Sequence, residues 1–225
     1  RLLVLALVCF FLFIKCNKKD DNLAVNVGNQ NQISCTGFTS IADTAFENSL
    51  IKLGYDTIRD GQIRNSNICY VDTLSLSGWS FTSSLYNSIQ LDGNISDLTG
   101  IEAFKSLKIL VCDSNKLTSI DLSQNDSLKL LECSNNQITS INISQNTALI
   151  ALNANGNQLT NLDVTQNTNL VLLNCWENQL TNLDVTQNTN LFGMTCWRNE
   201  LTNLDLSQNT NLNVFSCREN QLTNL

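Results

Sequence analysis

Histidine and proline are both absent from this chain of 225 residues, and methionine occurs once. Without histidine there is no Ser-His-Asp or Cys-His catalytic set, and no His-ligated zinc. Positive charge is scarce as well: 13 Lys and Arg stand against 20 Asp and Glu, a formal net charge of −7. Phosphate binding needs a basic stripe, so nucleic acid is excluded as a partner. No glycine-rich phosphate cradle is present, and none of the 9 cysteines forms a C-x-x-C pair. Apolar residues make up 42% of the chain, enough for a continuous core.

The longest apolar run, Leu2 to Ile14, follows Arg1 directly. It is shorter than the roughly 20 residues a membrane-spanning helix needs. A basic start and a short apolar stretch are the layout of a secretory signal peptide, here residues 1–15. Phe13-Ile14-Lys15-Cys16 and the following Asn17-Lys18-Lys19-Asp20-Asp21 resemble the junction of Bacteroidetes lipoproteins. That resemblance implies lipid on Cys16, a new N-terminus there and a place at the outer membrane or cell surface. Lys15 departs from the small residue usual before such a cysteine. Residues 16–35 then read as a polar tether clearing the membrane. The chain starts without Met and stops inside a recurring motif, so it reads as a fragment with further repeats expected.

From Leu107 onward the chain aligns with itself at a period of 21 residues. Leu107, Leu128, Leu149, Leu170, Leu191 and Leu212 open successive units. Leu110, Leu131, Leu152, Leu173, Met194 and Phe215 follow, then Cys112, Cys133, Ala154, Cys175, Cys196 and Cys217. Asn115, Asn136, Asn157, Asn178, Asn199 and Asn220 complete the unit L-x-x-L-x-C-x-x-N-x-L. This unit is similar to the leucine-rich repeat. Its second half echoes the spacing, as in Leu117-x-x-Ile120-x-Leu122-x-x-Asn125, and so resembles the nested IRREKO subclass. The implied fold is a leucine-rich-repeat solenoid, a parallel, right-handed coil. A β-sheet forms its primary face, with short extended segments or turns on the other. Side chains two apart on an extended backbone share a face. Leu110 and Cys112 therefore point inward, while Ile109, Val111 and Asp113 point out; Ile120 and Leu122 enter from the opposite wall. The asparagines, at the turns, can satisfy backbone groups of neighbouring coils.

Upstream the pattern loosens. Residues 67–106 read as irregular repeats, with a first strand near Ile68 to Leu76 and Ile95, Leu98, Ile101, Phe104 and Leu107 recurring every third position. In residues 36–66, Ile41, Ala45, Phe46, Leu50 and Leu53 share one helical face and Gly54 marks a stop. A solenoid needs its first coil covered. This helix resembles the N-terminal cap of secreted repeat proteins.

Five of the cysteines fill one repeat slot, where Ala154 also serves, so that slot wants a small apolar group and the thiols read as buried and free. Cys35 and Cys69 lie in the cap region, where an exported protein can pair them; the balance favours leaving them unpaired. Asp121, Asp163, Asp184 and Asp205, with Asn142, form a column. It lacks the converging oxygens of a calcium site and reads as solvent-facing. Asp43-Thr44-Ala45 and three similar tripeptides resemble short Bacteroidetes O-glycosylation sites, but Asp-Thr also suits helix starts. No nucleophile with a base, no metal site and no cofactor is expected, and the chain reads as non-enzymatic.

Two functions remain. One is a cell-surface binding or adhesion module, by resemblance to internalin-like exported repeat proteins, with a protein or glycan ligand. The other is a spacer or targeting segment of a larger surface protein. The slots after the cysteine hold Asp113, Ser134, Asn155, Trp176, Trp197 and Arg218, and next to them Ser114, Asn135, Gly156, Glu177, Arg198 and Glu219. Solvent-facing tryptophans on adjacent coils favour binding. Trp176, Trp197, Arg198, Arg218, Glu177 and Glu219 are the candidate contact residues, beside an outward apolar column of Ile109, Leu130, Ala151, Leu172 and Val214.

Overall fold

The computed structural model describes residues 35–77, 91 and 93–223. The expected leader, Cys16 and the tether up to residue 34 lie outside the described residues. Among those described, no helix is long and apolar enough to cross a membrane.

The first elements form a small unit. Strands β1 (Phe38–Ser40) and β2 (Gln62–Arg64) pair antiparallel, with Thr39 opposite Ile63. Between them runs helix α1 (Thr44–Lys52). It begins later than its apolar spacing suggests because Asp43 acts as N-cap. One oxygen of Asp43 accepts the N–H groups of Ala45 and Phe46, both at 2.8 Å, and so satisfies amides that the first turn leaves open. Gly54, at φ 81°, ends the helix in a left-handed conformation that suits glycine. Ile41, Phe46 and Leu50 are buried, with Ala45 and Leu53 packed beside them. The second Asp43 oxygen accepts from the backbone and hydroxyl of Ser96, which ties the helix start to the first irregular coil. Burial opposes the charge, but these hydrogen bonds outweigh it and hold the carboxyl below its ordinary range.

A short helical turn, α2 (Asn65–Ile68), follows β2 and leads into β3 (Thr73–Ser75). Ile68 is therefore helical, and the extended part of this segment is shorter than its composition suggests. Cys35 and Cys69 are joined by a disulfide, with Cα atoms 5.8 Å apart. This corrects the expectation that they stay free. Pairing of Phe38 with Arg64 folds the chain back on itself, and that brings the flanking segments together.

The solenoid carries one parallel sheet in the order β3-β4-β5-β6-β7-β8-β9. Its regular strands are β4 (Ile109–Val111), β5 (Leu130–Glu132), β6 (Ala151–Asn153), β7 (Leu172–Asn174), β8 (Gly193–Thr195) and β9 (Val214–Ser216). The register sets Leu110, Leu131, Leu152, Leu173, Met194 and Phe215 side by side. All are buried except Phe215, in the last described coil, which is partly buried. The opposite wall supplies Ile120, Leu122, Ile143, Leu162, Val164, Leu183, Val185 and Leu204 to the same core. That wall is made of turns, such as the one closed by Asn125 N–H to the Leu122 carbonyl at 3.0 Å, with an isolated bridge between Asp121 and Asn142.

Two asparagine columns bind coil to coil. Asn136 is typical of the first: its amide nitrogen donates to Cys112 O at 3.0 Å and Cys133 O at 3.1 Å, while its oxygen accepts Leu117 N–H at 3.0 Å. Buried backbone groups at the turn would otherwise lack partners. Asn125, Asn146, Asn167, Asn188 and Asn209 do similar work on the opposite wall. There Asn146 donates to Leu122 O at 3.0 Å and Asn125 O at 2.9 Å. These five are buried.

Candidate binding surface

The outer face of the sheet is less open than alternation alone suggests. Leu130 and Ala151 point away from the core yet are each only 3% exposed, and Val111 is buried too. Strands about 4.8 Å apart let neighbouring side chains cover one another. The outward apolar column is therefore a shielded stripe, with Ile109, Leu172 and Val214 half-buried. Beside it runs a polar column. Asn153 donates to Glu132 at 2.8 Å, and Thr195 donates its hydroxyl to Asn174 at 2.7 Å. Burial, aided by the nearby charge of Asp113, pushes the Glu132 carboxyl from 4.5 up to about 7 against the opposing pull of the Asn153 hydrogen bond.

After the strands each coil makes the same left-handed turn. Ser114, Asn135, Glu177, Arg198 and Glu219 all have φ between 51° and 56°, and Gly156 sits at 62° in the equivalent slot. Only glycine and, to a lesser degree, asparagine adopt this region at little cost. Glu177, Arg198 and Glu219 therefore hold a strained conformation for which two better residue types occur in the same column.

The tryptophans stand immediately before this turn. Trp176 and Trp197 stack with ring centroids 4.6 Å apart and planes 9° from parallel. The period explains the pairing, since residues one unit apart occupy neighbouring coils in register. The Arg198 guanidinium carbon lies 4.7 Å from the Trp197 ring centroid, a cation–π arrangement. Arg198 also bridges Glu177 on the preceding coil and Glu219 on the next, the latter at 2.8 Å. These exposed pairs add little to stability. They fix the charged rim in place. Arg218 is exposed beside them. The structure thus gathers Trp176, Trp197, Arg198, Glu177 and Glu219 into one ridge.

The other candidate groups take structural roles. Burial raises the thiol pKa of Cys112, Cys133 and Cys175, and it pushes Cys196 up to about 12, which makes these sulfurs poor nucleophiles. Asp121, Asp163, Asp184 and Asp205 are exposed, and each accepts the N–H of the residue two ahead. Those bonds hold the four carboxyls below their ordinary range, even where Asp184 is opposed by Asp163 and Asp205.

No protein-family model matches the chain, and no curated protein does either. Solved structures do. An internalin C2 from Listeria monocytogenes superposes with a TM-score of 0.61 at 22% identity, over 81% of this chain and 87% of that one. An internalin (inlF) of the same organism gives 0.60 at 18%, over 82% of this chain and 58% of that one. A leucine-rich-repeat protein of Leptospira interrogans gives 0.58 at 26%, over 71% of this chain and 46% of that one. The chain thus spans only about half the length of the last two. Period, parallel sheet, asparagine columns and these superpositions agree: the chain folds as a leucine-rich-repeat solenoid similar to those of the internalins.

Proposed function

We propose that this chain is the non-catalytic recognition part of an exported protein, held at the cell surface by lipid on Cys16, and that it binds a protein through the ridge of Trp176 and Trp197. The observation that carries this reading is the strained turn column. Glu177, Arg198 and Glu219 occupy φ of 53° to 54°, where Gly156 would be unstrained. Backbone strain of this kind, costing about 1 kcal/mol or more each, gathers where side chains serve contact rather than folding. The residues it displays are an aromatic pair with a charged rim, the make-up of an interface centre.

A protein fits better than a glycan. The flat ring faces on which a sugar would stack are in large part taken by the tryptophan pair itself and by Arg198. What remains is one face of Trp176, the ring edges and the rim of Glu177, Arg198, Arg218 and Glu219. The internalin structures supply the fold analogy alone.

The purified chain is screened against panels of host-cell, glycan and bacterial-surface ligands, alongside the Trp176→Ala/Trp197→Ala double variant. Each tryptophan is expected to contribute about 2 kcal/mol to capture of a protein ligand. Unchanged binding by a double variant with intact circular dichroism would move the site elsewhere, and glycan capture would replace the protein reading. Lipidation is tested separately: a fatty-acid probe should label the parent chain and leave Cys16→Ser unlabelled.

A further inference from the structure

The tryptophan stack has one closed end and one open end. Trp176 lies against one face of Trp197 at 4.6 Å, so Arg198, whose guanidinium carbon is 4.7 Å from the Trp197 centroid, must lie against the other. The order along the solenoid is therefore Trp176, Trp197, Arg198. The face left over belongs to Trp176 and turns towards the coil before it. That coil has Gly156 in the slot that Glu177, Arg198 and Glu219 fill on the next three, so no side chain reaches out from the slot to cover the ring. Asn155, in line with Trp176 on the same coil, is buried and too short to span an indole. The Asn135 side-chain oxygen leans over Gly156 instead, 2.7 Å from where a Cβ would stand, and brings a neutral acceptor to that side.

Arg198 shows what the chain itself places on such a face. Its guanidinium stacks on Trp197 while its nitrogens donate to Glu177 Oε1 and to Glu219 Oε2, the latter at 2.8 Å. The same elements recur at the open end. Trp176 supplies the ring, and the second oxygen of Glu177, Oε2, accepts no hydrogen bond from the described residues. The charge on that side has one sign. Residues 111–115, 132–136 and 153–157, the ends of the three preceding strands and their turns, hold Asp113 and Glu132 and no lysine or arginine. We propose that the open face of Trp176 receives an arginine side chain of the partner protein, paired with Glu177 Oε2, so that the stack runs arginine, tryptophan, tryptophan, arginine. This rests on the reading of the ridge as the contact surface and names what the ridge selects. Arginine fits better than lysine, because a flat guanidinium lies face to face on an indole and still donates in its own plane to a carboxylate. The surrounding negative charge draws a cation and does nothing for a neutral sugar competing for the same face. An aromatic side chain would cover the ring but press apolar surface on the Glu177 carboxylate.

The test titrates the isotope-labelled full chain with acetyl-arginine amide and follows the indole N–H resonance of Trp176, assigned with Trp176→Phe. A lone side chain binds weakly, so the titration runs to about 100 mM. The resonance should shift progressively with acetyl-arginine amide, less with its lysine counterpart, and not with the citrulline analogue, which keeps the shape without the charge. Glu177→Gln should weaken the arginine response about threefold, while Glu200→Gln, exposed in another column, should leave it alone. Circular dichroism confirms that both variants fold. No shift with arginine, an equal shift with citrulline, or an unchanged response in folded Glu177→Gln would overturn the proposal. A larger shift with methyl glucoside would overturn it too and give the face to a sugar. The ligand panel fails separately: a protein ligand that needs both tryptophans, yet is not displaced by acetyl-arginine amide, keeps the ridge as the site and overturns the arginine.

Discussion

Asn178 allows the energetic weight of the turn column to be tested directly. Its amide nitrogen donates to Ala154 O at 3.0 Å, Cys175 O at 3.1 Å and Trp176 O at 3.4 Å, and its oxygen accepts Leu159 N–H at 3.0 Å. Three of these bonds are short and buried. At about 1 kcal/mol net for each, Asn178→Ala should cost about 3 kcal/mol, rising towards about 5 kcal/mol if the deserted backbone groups stay dry. Asn178→Asp keeps the shape but removes the donor, which sets a carboxylate against the Ala154 and Cys175 carbonyls. It should be worse than alanine at neutral pH. That carboxyl would be held above its unfolded value near 3.9, so the folded state would bind more protons. Its penalty relative to the parent therefore shrinks as pH falls and grows as pH rises through the raised value. Urea unfolding followed by circular dichroism and tryptophan fluorescence measures both, with Asn169→Ala as the control. Asn169 is exposed and makes a single bond, to Thr147 O at 3.0 Å. An Asn178→Ala cost below about 1 kcal/mol, or an aspartate no worse than alanine, would refute the claim that the ladder holds the coils together.

Leu173→Ala, at a fully buried position, should lose about 2–5 kcal/mol in the same urea assay. Gly156→Ala should cost about 1 kcal/mol, since a Cβ there meets the Asn135 side-chain oxygen at 2.7 Å and the backbone is at φ 62°. Reducing the Cys35–Cys69 bridge, which spans 34 residues, should lower stability by about 2–4 kcal/mol in a melt with and without reductant. Glu132, raised from 4.5 to about 7, binds a proton more readily folded than unfolded, so its contribution to stability is present below pH 4.5 and lost as pH rises towards 7. Glu132→Gln should flatten that part of the stability–pH curve, and an unchanged slope would assign it to another group.

The 21-residue period made the solenoid, its core columns and its turn asparagines legible because each unit solves the same packing problem with the same residue types. Leu110, Leu131, Leu152 and Leu173 fill equivalent places, so reading one reads all. The stacked tryptophans follow from the same register. Exposure was not legible: Leu130 and Ala151 point outward but are covered by neighbours on adjacent strands, a property of the sheet and not of the residue. The left-handed turn was half legible, since Asn135 and Gly156 announce it, but Ser114, Glu177, Arg198 and Glu219 do not. The Cys35–Cys69 pair was out of reach because it depends on two strands of three residues each, too short for periodicity to reveal.

The bonds from strand to strand, and from each asparagine to the coil before it, run along the solenoid axis. A pull on the two ends therefore loads them one coil at a time, as in a zip, and never many together in shear. Extension under force should proceed by low, regular releases, each freeing one unit of 21 residues, or about 70 Å of chain at full stretch. The segment closed by the Cys35–Cys69 disulfide should lengthen only through the residues outside that covalent loop.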